Sequence, residues 1–156
     1  MAPPNQIAVL NPLLIGVATT FCTIILHALL LGMIIWIVRR DLRLGRVGTR
    51  FWLDTIFITN VAMLLLAAHL AEIGLWALVL ERCGEFSNFG AAYYHSAVNY
   101  TTLGDSAFAM SARWRLLAAL EAGNGMLMFG VSTAAIFAVI QRLLQHRFGD
   151  PNATMQ

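Results

Sequence analysis

Lysine is absent from this chain of 156 residues, and all ten of its basic residues are arginine. Charge of either sign is scarce. Only 12% of residues are charged, where a water-soluble domain carries about 25%. The two cysteines, Cys22 inside an apolar run and Cys83 in a loop, cannot readily meet, so no internal disulfide framework is implied. Their spacing matches no metal site. There is no H-E-x-x-H, no phosphate loop, no Cys/His cluster and no adjacent nucleophile and base, so nothing points to an enzyme, a bound cofactor or a small-molecule substrate. A basic stripe and the motifs of nucleic-acid-binding folds are also missing. Met1 to Asn11 holds no Lys or Arg, so the positive start of a cleaved signal is not found, and the apolar run behind it is too long for a signal core.

What the chain has instead is apolar sequence, at 59% hydrophobic residues and a mean hydropathy of +0.72. Three runs read as membrane-spanning helices: Leu13 to Val38, Trp52 to Leu80 and Arg115 to Gln141. The first, about 26 residues rising 1.5 Å each, reaches across a hydrocarbon core of about 30 Å with tilt to spare. Arg39, Arg40, Arg43, Arg46 and Arg50 crowd the connection behind it, with Asp41 the only acid among them. Such a cluster marks the cytoplasmic side and suits anionic lipid. The N-terminus then lies outside, and Arg142 and Arg147 return to the cytoplasmic side with the C-terminus. Trp36, Trp52, Trp76 and Trp114 fall near span ends, as in an aromatic belt.

Polar residues inside the spans are few and therefore informative, because ionisable groups there are costly and turn into the bundle. His27 either bonds a neighbouring helix or senses protons. His69 and Glu72 share one helical face; they either brace a neighbouring element or form a proton relay or ion site. Glu121 and Asn124 sit early in the third span.

Between the second and third spans lies Tyr93-Tyr94-His95-Ser96-Ala97-Val98-Asn99-Tyr100-Thr101-Thr102-Leu103-Gly104-Asp105-Ser106. It is too short and too polar to span, which suits a re-entrant segment. Non-helical backbone survives at that depth only when protein buries it or when it lines a watery path. A short helix from near Gly90 to about Tyr100 is expected, capped by Ser87 or Asn88, with its tyrosines packed on the spans. Thr101 and Thr102 either line a path or bond back to the end of that helix.

Span, short re-entrant helix, Thr-Thr-x-Gly-Asp and span: this order resembles the pore module of the potassium-channel superfamily, in particular its small bacterial members with two pore-forming spans per subunit. The resemblance covers about Phe51 to Leu144. It implies a homotetramer in the bacterial inner membrane that passes a monovalent cation, with potassium first. Thr101, Thr102, Leu103 and Gly104 would form the filter, through carbonyl and hydroxyl oxygens that replace the ion's water. Asp105 would stand at the mouth, or else cap the loop or pair with Arg113 or Arg115. His69, Glu72, Glu121 and Asn124 would support the filter. Gly123, Gly125 and Gly130 would let the inner helix bend. Against the Thr-Val-Gly-Tyr-Gly of the superfamily only one glycine, Gly104, is present, so fewer carbonyls can face an axis.

The expected fold is thus an all-α membrane protein of three transmembrane helices, with a re-entrant pore helix and filter loop between the second and third. Residues 1–50 hold an additional helix and basic loop, 51–145 the pore module and 146–156 a cytoplasmic tail. The rival reading is a non-conducting membrane sensor or assembly partner on the same scaffold.

Overall fold

The computed structural model describes residues 8–48, 50–104 and 110–148. Four helices account for the regular structure among them: α1 (Leu10–Arg43), α2 (Phe51–Arg82), α3 (Phe89–Tyr100) and α4 (Arg115–Phe148). The chain is all-α, and α1, α2 and α4 are each long and apolar enough to cross a membrane. The 12 residues of α3 are not.

The long helices outrun the apolar stretches that identify them. Arg39, Arg40 and Arg43, read from the sequence as part of a connecting loop, lie in the last turns of α1. Only Arg46 and Arg50 remain in the connection. The reason is electrostatic as well as conformational: arginine is a good helix former, and cations suit the partial negative charge of a helix C-terminus. Likewise α4 continues through His146 and Arg147 to Phe148, past the point where a tail was expected to begin.

The helices contribute to two compact units, described in turn. The first comprises the described residues of Met1–His27 and Ala68–Gly130. Its core gathers Ile73, Trp76, Leu80, Tyr100, Trp114, Leu117 and Met128. Trp76 is fully buried there, so it is a packing residue and not a member of an interfacial belt; Trp114 is buried as well. Of the four tryptophans, Trp36 and Trp52 are the exposed ones. The segment after α2 is tied to the one before α4 by Glu85, whose oxygens accept from Ser111 N at 2.9 Å and Ser111 Oγ at 2.5 Å. Burial, and then the Glu85 carboxylate, push the Cys83 thiol above its usual range, with Arg113 pulling the other way. The thiol therefore stays protonated near neutral pH.

The second unit comprises Ala28–Ala67 and the described residues of Val131–Gln156. Ile34, Val38, Val47, Phe57, Val61, Leu65, Val139 and Leu143 form its core. Buried Asp54, in the first turn of α2, accepts from Gly48 N at 2.6 Å and sits 3.8 Å from Arg147 Nη1. A carboxylate suits that place, since it faces the positive end of the helix. Arg39, Arg43, Arg142, Gln145 and His146 line a cleft of about 690 Å³ in this unit.

Candidate functional site

The short helix α3 begins where a cap permits it. Asn88 is in extended conformation, and its Oδ1 accepts from Ala91 N at 2.9 Å, satisfying a donor that the first turn leaves open. Tyr93 Oη donates to Leu70 O at 3.1 Å, and Tyr100 is fully buried. Tyr94, expected to pack with them, is half exposed within the chain.

The C-terminal end of α3 decides the conformation of the candidate filter. Thr101 closes the helix, its hydroxyl donating back to Ala97 O at 2.7 Å and sharing with Val98 O at 3.2 Å. Thr102 N then bonds Asn99 O at 2.8 Å, and Leu103 N bonds Val98 O at 3.0 Å. These two bonds are those of a Schellman cap, which requires a left-handed residue at its first non-helical position. Thr102 is that residue, with φ 61°. Gly104 is left-handed too, with φ 71°, so left-handed residues alternate along the stretch. Thr101 to Gly104 are all exposed in the single chain, and Leu103 is 78% exposed. Asp105, the candidate mouth residue, lies outside the described residues.

Behind this end of α3 the chain builds a buried polar cluster. Tyr100 Oη donates to Glu72 Oε2. His27 Nδ1 lies 2.8 Å from Glu72 Oε1; a carboxylate only accepts, so that nitrogen carries the proton. His69 Nδ1 is 3.2 Å from Tyr100 Oη and 3.6 Å from Glu72 Oε2. With the phenol proton committed to Glu72, the phenol oxygen accepts from His69. His69 also stacks 4.5 Å from the Phe129 ring. The cluster thus joins α1 and α2 to the last residue of α3.

The inner-helix candidates separate once placed. Gly125 of α4 faces the end of α3 so closely that a Cβ there would come within 1.9 Å of Tyr100 O. Gly123 and Gly130 face open space within the chain, and α4 runs unbroken through all three. Glu121 is fully buried, with Ser96 and Asn99 the polar side chains facing it, although neither carboxylate oxygen has a hydrogen bond of normal geometry. Buried Asn124 accepts at Oδ1 from Thr23 Oγ1 at 3.1 Å.

Sequence reasoning named His27, His69 and Glu72 but did not join the first to the other two, which lie about 45 residues away. Thr23, Ser96 and Asn99 were not singled out at all. The available signal was that each is a polar residue in or beside an apolar span.

Residues 51–142 match the family model described as an ion channel. No curated protein and no solved structure matches the chain.

Proposed function

We propose, from the premise that this chain belongs to that ion-channel family of potassium-channel-like pore modules, that it passes a monovalent cation, potassium first, through a homotetrameric pore in the bacterial inner membrane. The carrying observation is the alternation of left-handed Thr102 and Gly104 just past the C-terminus of α3. Alternating hands turn successive carbonyls toward one side, as a filter requires. The end of a helix also carries partial negative charge, which favours a cation there. Each chain supplies one such stretch, so a closed ring needs several chains; the number four rests on the family resemblance. Exposed Gly130, Ala134 and Ala138 along α4 leave room for close contact with a neighbouring copy.

In this reading Thr101 holds the end of α3, while Thr102, Leu103 and Gly104 line the path. Asp105 makes an acidic ring at the mouth. The arginine-rich ends of α1 and α4 face the cytoplasm. Glu72 and Tyr100 hold the filter from behind, and Glu121 and Asn124 support it from α4.

Potassium and sodium flux through purified protein in liposomes tests this, with Gly104→Ala and Asp105→Asn alongside the natural sequence. Potassium-favouring flux that drops at least ~10-fold in Gly104→Ala is expected, since a Cβ at φ 71° is strained. Asp105→Asn should lower cation flux. A folded oligomer without flux would instead support a non-conducting sensor or assembly partner on the channel scaffold.

A further inference from the structure

We propose that His27, His69 and Glu72 form a binding site for a divalent transition-metal ion of the zinc class, which clips α1 to the pore module. The donors come from two helices far apart in sequence, His27 from α1 and the other two from one face of α2. One ligand atom from each lies within 4.8 Å of the others. Two of the separations are 2.8 Å, from His27 Nδ1 to Glu72 Oε1, and 3.6 Å, from His69 Nδ1 to Glu72 Oε2. A tetrahedral zinc site with bonds of about 2.1 Å places its donors about 3.4 Å apart. The His27 Nδ1–Glu72 Oε1 separation falls short of that value and every pair of ligand atoms lies within 4.8 Å, so the proposed site forms by side-chain rotation. All three residues are buried.

The donor set selects the ion. Two imidazole nitrogens and one carboxylate oxygen suit zinc and its neighbours, whereas magnesium and calcium take oxygen cages. Alkali cations gain little from imidazole, so the permeant ion is not the occupant. Glu72 binds through Oε1 and keeps Oε2 for the Tyr100 hydroxyl. That hydrogen bond orients a metal-ligating carboxylate from outside the coordination sphere. Through it the metal also fixes the residue next to Thr101. Binding through both Nδ1 atoms moves each ring proton to Nε2, so no net proton is released while Glu72 stays ionised.

The need for such a clip follows from the solvent. Between helices in lipid the hydrophobic drive is absent, and polar contacts hold them together. Contacts of this kind that α1 makes in the first unit include His27 with Glu72 and Thr23 with Asn124.

The test is a Co²⁺ titration of tag-free, chelator-stripped protein in detergent, read by absorption, followed by displacement with Zn²⁺. A four-coordinate ligand-field band that saturates at one Co²⁺ per chain is expected, with water in the fourth position beside the three protein donors. His69→Ala and Glu72→Gln should weaken binding at least ~10-fold, and His146→Ala, outside the cluster, should not. X-ray absorption on the natural sequence should count two imidazoles per zinc, a readout that holds even if the variants misfold. Absence of saturable binding to the natural sequence, or unchanged binding in a His69→Ala protein of native elution volume, overturns the proposal and leaves a hydrogen-bonded brace. None of these readouts uses ion flux, so the result is independent of whether the chain conducts.

Discussion

At the scale of single residues, the contact between Gly125 and Tyr100 is the tightest constraint on the site. The end of α3 lies against α4 because position 125 has no side chain; the Tyr100 carbonyl occupies the space a Cβ would need. Backbone cannot yield as the tip of a flexible side chain can. Gly125→Ala should therefore destabilise the protein by about 1–3 kcal/mol, the usual range for overpacking, and displace the proposed filter stretch from α4. Thermal unfolding in detergent checks this, and a melting temperature equal to that of the natural sequence would refute it. The same change at Gly123, which faces open space within the chain, is the matched comparison. The sequence marked all three inner-helix glycines alike, because spacing along one helix says nothing about what stands opposite.

At the scale of elements, three helices end in the same way with different residues. α1 closes on Gly45, with Gly45 N to Leu42 O at 3.1 Å and Arg46 N to Asp41 O at 3.0 Å. α2 closes on Gly84, with Gly84 N to Glu81 O at 3.0 Å and Glu85 N to Leu80 O at 3.2 Å. Both glycines are left-handed, with φ 63° and 77°, where a side chain costs about 1–2 kcal/mol. α3 makes the same pair of bonds but places Thr102 at the left-handed position. A β-branched residue there is strained, and strain of this kind gathers at functional sites. Thr102→Gly should relieve it, less the entropy that glycine costs in the unfolded chain, for a net stabilisation of up to about 1 kcal/mol. It should also reduce ion flux, through loss of the threonine hydroxyl. A lower melting temperature in this variant would show that the Thr102 side chain makes a stabilising contact outweighing its strain. Sequence reasoning expected a lone Gly104 to leave fewer carbonyls facing an axis; the fold places a second left-handed residue at Thr102.

At the scale of the molecule, the three long helices turn much apolar surface outward. Phe21, Leu29, Met126, Leu127 and Phe137 are among the large side chains exposed in the single chain. Apolar exposure of this extent needs cover, from lipid or from other copies. The proposed homotetramer predicts a native mass spectrum from mild detergent at four times the 17.1 kDa chain, with no stable dimer. A dimer or a heteromer without tetramer would favour the non-conducting reading. Amine-directed cross-linkers are poorly suited to the same question, because the chain has no lysine side chains.

The sequence by itself determined what depends on composition and on neighbours along the chain. Apolar runs fixed three long helices, because only a helix satisfies its own backbone in lipid. A cap at Ser87 or Asn88 could be read, since capping acts over three residues, and the structure uses Asn88. The His69 and Glu72 pair could be read from helical spacing, and the order of parts from Phe51 onward carried the family. Tertiary structure alone decided what depends on distant partners. It brought His27 and Tyr100 to Glu72, buried Trp76 rather than leaving it at an interface, and set Gly125 apart from Gly123 and Gly130. It also placed Thr102 in a glycine's conformation. The physical reason is the same in each case: helix formation is a local equilibrium, whereas a buried polar contact or a close backbone approach exists only once separate helices have packed.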